Sequence, residues 1–281
     1  MKTPKRIQPL IEEGLVDAVL RQLMSGKEAT VYVVRCGDEI RCAKVYKEAS
    51  QRSFRQAASY QEGRQVKNSR QARAMAKGTR YGRQMQEEVW QNAEVDALFR
   101  LAAAGVRVPR PHICFEGVLL MELVTDAEGN AAPRLNDLDL SADQARAWHA
   151  QLLHQVVLML CAGIIHGDLS EYNILVDATG PVIIDLPQAI DAAGNTEAGA
   201  MLKRDVANLA ACLGRFAPEI MSTQYGEEIW GLYSAGLLRP DTVLTGHVAP
   251  DTRPVNVGAV LREIELAERE EELRQQRLNQ E

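Results

Sequence analysis

Polar side chains interrupt an apolar stretch, 162-AGIIHGDLSEYNILV-176, where a buried strand would carry valine, leucine and isoleucine. Asp168 and Asn173 lie within it, and a further acid, Asp185, follows the apolar residues 181–184. Two carboxylates about 4–5 Å apart repel each other by roughly 3–4 kcal/mol at an effective dielectric constant near 20. A divalent cation removes this repulsion, and Mg²⁺ prefers oxygen ligands. These residue types therefore indicate a metal site made by Asn173 and Asp185, with Asp168 beside it.

The spacing of these residues indicates phosphoryl transfer. A β-hairpin with its turn at Asp177 to Pro181 would carry Asn173 and Asp185 to the same end. The interval D-x-x-x-x-N from Asp168 to Asn173 matches the catalytic loop of protein kinases, where the Asp orients the acceptor and the Asn binds a metal. A buried polar turn capped by Asp and Asn would explain any one of these side chains, but not all three in this order.

A lysine on a predicted strand fits the phosphate side of such a site. Lys44 resembles the strand lysine that contacts the α- and β-phosphates of a nucleotide in kinases. That lysine needs a glutamate on the next helix, and Glu94 lies in the middle of the amphipathic segment 86–104. Glu87 and Glu88 lie at the start of the helix, where acids merely complement the helix dipole. Without the catalytic-loop pattern, a solvent-facing charge would be the simpler interpretation of Lys44.

A single glycine marks the candidate phosphate-binding loop, 24-MSGKEATVY-32. This loop has neither the G-x-G-x-x-G pattern of ordinary kinases nor a Walker A motif. Gly26 allows the backbone to approach a phosphate, while Ser25 and Lys27 supply a hydroxyl group and a positive charge. An ordinary helix-to-strand turn is the alternative interpretation.

The predicted elements give a two-lobed α+β protein, because strands dominate residues 1–125 and helices the rest. Hydrophobic patterns predict strands at 29–36 and 40–46, at two short runs on either side of Gly117, and in the hairpin described above. They predict helices at 9–24, 86–105, 141–161, 203–216, 217–236 and 256–280, with Ser141 as an N-cap and with Gly105 and Gly163 as C-terminal stops.

Composition excludes several other classes of protein. The 281 residues are 46% hydrophobic and 25% charged, as in an ordinary soluble globular protein. The five cysteines are scattered and form no C-x-x-C pair, which disfavours a zinc ribbon or a disulfide framework. No apolar stretch approaches the roughly 20 residues of a membrane helix, and no signal sequence is recognised. A cytoplasmic protein without membrane contact is therefore expected.

A strongly basic segment, residues 47–83, contrasts with an acidic remainder. It contains ten Lys/Arg and two Glu, a net charge of +8, so the other residues carry −14 to give the chain its −6. A mobile, solvated insert is the simplest interpretation of this segment. Contact with the phosphates of a nucleotide or of RNA is the alternative.

Seven stretches together resemble the RIO family of atypical serine/threonine protein kinases and ATPases. They are SGKEA (25–29), AKVYK (43–47), VPRP (108–111), LLMELV (119–124), HGDLSEYNIL (166–175), IIDLPQA (183–189) and KRDVANL (203–209). The combination of GKEA with HGDLSEYNI is highly specific. The likeness is nearest to the Rio-one subfamily, because no winged-helix domain is expected ahead of the first stretch.

This resemblance implies a bilobal protein-kinase-like fold of RIO type, with a small β-rich N-lobe and a truncated helical C-lobe. The N-lobe would span residues 1–121, with a flexible basic insert at 47–83 before the αC-like helix. The C-lobe would span 122–256, and a polar C-terminal helix or tail would occupy 257–281. Asp185-Leu186-Pro187 departs from the DFG motif and no APE motif follows, so an ordinary activation loop and peptide platform are not expected.

The resemblance also implies ATP and Mg²⁺ or Mn²⁺ as cofactors. The implied phosphate contacts are Ser25, Gly26, Lys27 and Lys44, the adenine contacts are the Glu122 carbonyl and the Val124 amide, the metal ligands are Asn173 and Asp185, and the catalytic residues are Asp168, Lys44, Glu94 and Asp185. In this family the metal-loop aspartate can itself accept phosphate, so Asp185 is also a candidate nucleophile of an ATPase cycle. Asp205 is implied to brace the catalytic loop.

Two other functions stay open. Small-molecule phosphotransferases, such as aminoglycoside and choline kinases, share the H-G-D-x-x-x-x-N signature, but they usually build a larger helical substrate lobe than the residues after Asp185 provide. A nucleotide-binding scaffold would instead use the basic insert to hold RNA or a ribosomal particle. For the favoured function, the expected partners are ATP and an unknown protein substrate, or the protein itself through autophosphorylation.

Overall fold

The first lobe is built on an antiparallel sheet. A computed structural model of the chain describes residues 3–26, 29–47 and 93–248. The strands are β1 Ala18–Ser25, β2 Ala29–Cys36, β3 Glu39–Tyr46, β4 Pro111–Phe115 and β5 Val118–Glu122, and they pair in the order β1-β2-β3-β5-β4. Helix α1 covers Gln8–Glu12, and the described part of helix α2 covers residues 93–103.

Alternation along β3 separates two packing faces of this sheet. Val45 belongs to a small apolar cluster that contains Leu10 of α1, whereas Tyr46 belongs to the main core together with Leu101 of α2. Successive side chains of a strand point to opposite faces of the sheet. Lys44 therefore lies on the same face as Tyr46, towards α2.

The helix predicted at 9–24 is wrong in its second half. The helix ends at Glu12, Gly14 adopts a left-handed φ of +71°, and the chain continues as β1 along the edge of the sheet. The apolar spacing of this segment favours a helix, but backbone pairing with β2 prevails. Two register shifts in that pairing interrupt the alternation that identifies a strand in a sequence.

The second lobe is mainly helical. Its helices are α3 Ala142–Cys161, α4 Ala198–Leu213 and α5 Tyr225–Ser234, with short 3-10 helices at Leu135–Asp137, Glu171–Asn173 and Pro218–Ser222. Two small antiparallel pairs join β6 Ile164–Ile165 to β9 Ile190–Asp191 and β7 Ile174–Asp177 to β8 Gly180–Ile183. The loops next to these short strands carry the polar residues of the opening stretch.

Several sequence predictions for the second lobe are confirmed. Ser141 caps α3 by accepting a hydrogen bond from the Gln144 amide, and the Gln144 side chain accepts one from the Ser141 amide. The predicted hairpin is formed by β7 and β8, with Ile174 opposite Ile183. The strands predicted at 29–36, at 40–46 and around Gly117 are confirmed as well.

Two helix predictions need correction. The helix predicted at 203–216 begins earlier, at Ala198. The helix predicted at 217–236 is divided into a 3-10 helix that begins at Pro218 and the helix α5. The break falls at Thr223, whose backbone is extended and whose hydroxyl group donates a hydrogen bond to the Ile220 carbonyl; Pro218 lies in the first turn, where proline is tolerated.

The described residues up to His247 belong to one compact unit, and they form the expected α+β arrangement of a sheet-rich lobe and a helical lobe. The basic insert beyond Lys47, the start of the helix predicted at 86–105 and the helix predicted at 256–280 lie outside the described residues. The boundaries of the lobes stay predictions. Within residues 3–26, 29–47 and 93–248, no helix is long and apolar enough to cross a membrane.

Packing of α1 on the sheet makes a testable contribution to stability. Leu10 is fully buried against the sheet, so Leu10→Ala is expected to lower the free energy of unfolding by about 2–5 kcal/mol. The measurement is denaturant unfolding of both proteins. Glu13→Ala, at an exposed position in the same segment, is the control and should change stability by less than about 0.5 kcal/mol. Equal stability of Leu10→Ala and the unchanged protein would contradict this packing.

Candidate active site

A cleft of about 510 Å³ lies between the sheet and the loops of the helical lobe, within the roughly 300–1,000 Å³ typical of small-molecule sites. Eight of the predicted site residues line it together: Gly26, Lys44, Glu94, Glu122, Val124, Asp168, Asn173 and Asp185. Ser25 lies at the end of β1 and does not line this cleft. Lys27 lies outside the described residues.

Lys44 joins the two sides of the cleft. Its Nζ atom lies 2.5 Å from Glu94 Oε1 and 3.0 Å from Asp185 Oδ1. Lys44 and Glu94 are buried, with 9% and 4% of their surface exposed, whereas the Asp185 side chain is 46% exposed. The ammonium group is therefore shared between a buried carboxylate of α2 and a solvent-accessible carboxylate of the helical lobe.

The shared ammonium group shifts the ionisation of its partners. Burial acts to lower the pKa of Lys44, but the carboxylates of Glu94 and Asp185 overcome this and raise it well above its usual value. Burial likewise acts to raise the pKa of Asp185, and the positive charge of Lys44 reverses the effect, so that this pKa lies below its usual value. Both groups are charged at neutral pH, as a phosphate- and metal-binding pair requires.

Asp185 has an unusual backbone conformation. Its φ is +66°, in the left-handed region that residues other than glycine seldom adopt. The segment is held on both sides, because the Ile184 amide donates a hydrogen bond to the Asn173 carbonyl at 2.9 Å and the Leu186 side chain is buried. Local strain of this kind is typical of functional sites that the surrounding structure holds in place.

The loop before Asn173 is anchored to α4. The buried carboxylate of Asp205 accepts hydrogen bonds from the Gly167 amide at 2.8 Å and the Leu169 amide at 3.0 Å. Asn208 Nδ2 donates to the Leu169 carbonyl at 3.0 Å, and the Arg204 guanidinium donates to the Gly167 carbonyl. Backbone groups on both sides of Asp168 are therefore fixed by one helix.

His166 connects this loop to the metal loop. The side chain is 2% exposed, and its Nε2 atom lies 3.1 Å from the Ile184 carbonyl, which can only accept a hydrogen bond. Nε2 must then carry the proton, which leaves Nδ1 to accept from the Asp168 amide at 3.3 Å. The imidazole ring thus links the backbones of residues 168 and 184.

Asp168 points into the cleft with few fixed contacts. Partial burial raises its pKa, and the nearby charge of Asp185 adds to this effect. Gln188 Nε2 lies 3.5 Å from Asp168 Oδ2, at the limit of a hydrogen bond. A carboxylate with a raised pKa is suited to accept a proton from a hydroxyl group.

The oxygen atoms near Asp168 are suitable ligands for Mg²⁺. Asn173 Nδ2 donates to the Asp168 carbonyl at 2.9 Å, which leaves its Oδ1 atom free to act as an oxygen ligand in the cleft that Asp185 also lines. In the described part of the chain there is no cluster of three or more His, Cys, Asp or Glu side chains that could hold a metal. A pair of oxygen ligands is nevertheless what Mg²⁺ needs when phosphate oxygens and water complete its coordination.

The described residues at the two ends of the candidate phosphate loop, Gly26 and Ala29, lie close together. The Gly26 amide donates to the Ala29 carbonyl at 2.9 Å, and Lys47 Nζ donates to the Gly26 carbonyl at 2.6 Å. Ser25 Oγ lies 3.2 Å from Thr30 Oγ1 across the two strands. Lys47 therefore holds this loop, a contact that the sequence did not indicate.

The segment after β5 connects the two lobes. The Glu122 amide donates to the Arg110 carbonyl at 2.9 Å, and the Glu122 carboxylate accepts from the Arg110 amide at 3.0 Å. The Val124 carbonyl accepts from the Ala132 amide at 2.9 Å. The adenine-binding role of this segment stays a prediction, as do the roles of the other site residues.

Sequence reasoning missed three side chains of the cleft. Arg134, Gln188 and Cys42 line it; Gln188 lies in the stretch 183–189, but none of the three was given a role. Burial raises the pKa of Cys42 to about 12, so this thiol is not a nucleophile at neutral pH. Arg134 directly follows Pro133, and Gln188 directly follows Pro187. This is the one sequence feature that the two residues share.

Comparison with known proteins gives a consistent assignment. The family model of the RIO domain matches residues 30–225. The serine/threonine-protein kinase rio1 of Schizosaccharomyces pombe is 30% identical over 220 residues, which cover 73% of this chain and 40% of that protein. The RIO-type serine/threonine-protein kinase Rio1 of Haloferax volcanii is 32% identical over 209 residues, which cover 73% of this chain and 66% of that protein.

A solved kinase domain aligns with 83% of this chain and 68% of its own, at 13% identity and a TM-score of 0.46. The chain spans between about two fifths and two thirds of the length of the two curated relatives. The chain has a bilobal protein-kinase-like fold. This assignment is supported by the match to the RIO domain, by the sheet-rich first lobe and by the helical second lobe.

The ion pair of Lys44 and Glu94 is expected to stabilise the fold because both side chains are buried. Lys44→Met leaves Glu94 buried without its cation and should lower the free energy of unfolding by about 3–5 kcal/mol. The double variant Lys44→Met/Glu94→Leu should recover part of this loss in denaturant unfolding. Arg146→Met removes an exposed ion pair and should cost less than about 1 kcal/mol. A double variant as unstable as the sum of its single variants would contradict the coupling.

The depressed pKa of Asp185 predicts a pH-dependent contribution to stability. A carboxyl group with a lowered folded-state pKa stabilises the protein above its unfolded pKa of about 3.9 and loses this effect as pH falls through the folded value. Asp185→Asn keeps a residue that tolerates positive φ but has no charge. The stability difference between the two proteins should be present at pH 7 and should shrink only below about pH 4, as the pH falls from the unfolded pKa through the lower folded-state pKa. A difference that is constant over this range would refute the ionic contribution.

Proposed function

The chain belongs to the RIO family, and from this premise we propose that it is an ATP- and Mg²⁺-dependent serine/threonine protein kinase or regulatory ATPase. The observation that carries the proposal is the convergence of Lys44, Asp168 and Asp185 on one cleft. Each supplies a function that phosphoryl transfer requires: a cation for phosphate, a proton acceptor and a metal ligand. The names of the curated relatives agree with this chemistry.

Nucleotide binding uses opposite ends of the cleft. The Glu122 carbonyl and the Val124 amide hold the adenine, and Gly26 allows the backbone to approach the phosphates. Lys44, held by Glu94, neutralises charge on the phosphates. Asn173 and Asp185 would hold Mg²⁺, which when bound shields the negative charge of the triphosphate.

Asp168 serves as the proton acceptor. It lies in the cleft at the end of a loop whose backbone is fixed by Asp205 and His166, so its position is set before a substrate arrives. A serine or threonine hydroxyl that hydrogen-bonds to this carboxylate transfers its proton as its oxygen bonds to the γ-phosphorus, while the bond between the γ-phosphorus and the β-phosphate oxygen breaks and ADP leaves. Because the loop is preorganised, little of the binding energy is needed to assemble the site.

Two acceptors of the phosphoryl group are compatible with the site. One is a hydroxyl group of a protein, including this protein itself. The other is the Asp185 carboxylate, whose transient phosphorylation and hydrolysis would make the protein an ATPase. The stability of the trapped phosphate separates them, because an acyl phosphate is cleaved by hydroxylamine and a phosphoserine or phosphothreonine is not.

The charge of the basic insert favours a second binding partner, an RNA or a ribonucleoprotein. Residues 47–83 carry a net charge of +8, which suits an RNA or ribonucleoprotein surface near the enzyme. Of this segment, Lys47 is described, and it binds the phosphate loop. We therefore include a ribosomal particle or RNA as a candidate partner. Phosphoryl transfer is the primary proposed function.

The proposal is tested by Mg²⁺-dependent release of phosphate from ATP. Asp168→Asn and Asp185→Asn should each lower the turnover rate by at least about 100-fold, because one removes the proton acceptor and the other a metal ligand. Asp143→Asn removes an exposed acid on α3 and should leave the rate unchanged. Turnover that persists in both cleft variants would rule out this active site.

A further inference from the structure

Arg134 lies on a rigid part of the chain at the cleft. Its backbone pairs with Leu175 in an isolated antiparallel bridge. On one side the Val176 amide donates to the Pro133 carbonyl at 2.9 Å, and on the other the Asp137 amide donates to the Arg134 carbonyl at 3.0 Å. The side chain therefore extends into the cleft from a fixed backbone position.

The guanidinium group of Arg134 has a weak partner. Its Nη2 atom lies 3.3 Å from the sulfur atom of Met24, and a thioether is a poor hydrogen-bond acceptor. Within the described residues, no carboxylate forms an ion pair with Arg134, whereas Arg41 and Arg107 each have one and Arg146 has two. A permanently charged group with five donors is thus directed into the cleft with most of its binding capacity unused.

The position of Met24 indicates which part of a ligand Arg134 would meet. Met24 directly precedes Ser25 and Gly26, at the start of the candidate phosphate loop, and Met24, Gly26 and Arg134 all line the cleft. A group that contacts Met24 is therefore adjacent to the start of this loop. An anionic oxygen placed there would be a far better acceptor for a guanidinium group than sulfur.

We propose that Arg134 binds the polyphosphate of the nucleotide in the cleft, exchanging its contact with Met24 for phosphate oxygens. This inference rests on the proposed function, because it assumes that the ligand is a nucleotide. Lys44 acts on the phosphates from the buried side of the cleft and Arg134 from the side of the Leu175 bridge. The two cations bind the same charged group from different lobes, so that phosphate, in addition to adenine, determines which ligands bind.

Calorimetric titration with ATP, ADP and adenosine in the presence of Mg²⁺ tests this assignment. Arg134→Met is expected to weaken ATP and ADP binding by about 10- to 100-fold, the range that corresponds to one charge-assisted contact, and to change adenosine binding by less than about twofold. Arg134→Lys keeps the charge but loses the planar fork, so its affinity for ATP should be intermediate. If Arg134→Met does not fold, the affinities of Arg134→Lys for ATP, ADP and adenosine test the role of Arg134 instead.

Arg146→Met is the matched control. It removes the same charge from the surface of α3, so it should leave the affinity for ATP unchanged and exclude an effect of net charge. An equal loss for adenosine, or no loss for ATP, would overturn the role of Arg134. Failure of the unchanged protein to bind ATP would instead reject the proposed function, and the role of Arg134 with it.

Discussion

The shared ammonium group of Lys44 is the contact on which the cleft depends. It bonds to Glu94 in the first lobe and to Asp185 in the second. The Glu94 contact is buried and has no aqueous substitute, whereas the Asp185 side chain faces the cleft. The first bond therefore holds α2 against the sheet, and the second is the one that a phosphate group and a metal ion can replace. The same lysine supports the fold and leaves part of its charge for a ligand.

A second set of contacts fixes the helical side of the cleft independently of Lys44. Asp205 holds the backbone amides around Asp168, and His166 joins that loop to the Ile184 carbonyl. Because these groups are buried and bonded to backbone atoms, they fix the backbone positions from which the side chains of Asp168 and Asp185 extend. The cleft thus combines a rigid catalytic loop with an ion pair that can rearrange.

The sequence predicted those parts of the molecule in which local chemistry and tertiary packing agree. Ser141 and the hairpin of β7 and β8 are confirmed, since their signals depend on neighbouring residues. The helix predicted at 9–24 was wrong beyond Glu12, because pairing of β1 with the neighbouring strand β2 overrides apolar spacing. The approach of Glu94 to Lys44 could be proposed from a motif, whereas the contacts of Arg134 and Lys47 depend on how separate segments meet in space. No local sequence pattern predicts such contacts between separate segments.

A crystal structure of the complex with Mg²⁺ and a non-hydrolysable ATP analogue tests the central claim most directly. The account predicts that Lys44 keeps its bond to Glu94 but exchanges Asp185 for phosphate oxygens. Asp185 and Asn173 should then both contact the metal. A complex in which the nucleotide lies elsewhere, with Lys44 still bonded to Asp185 and no metal between Asn173 and Asp185, would contradict the account.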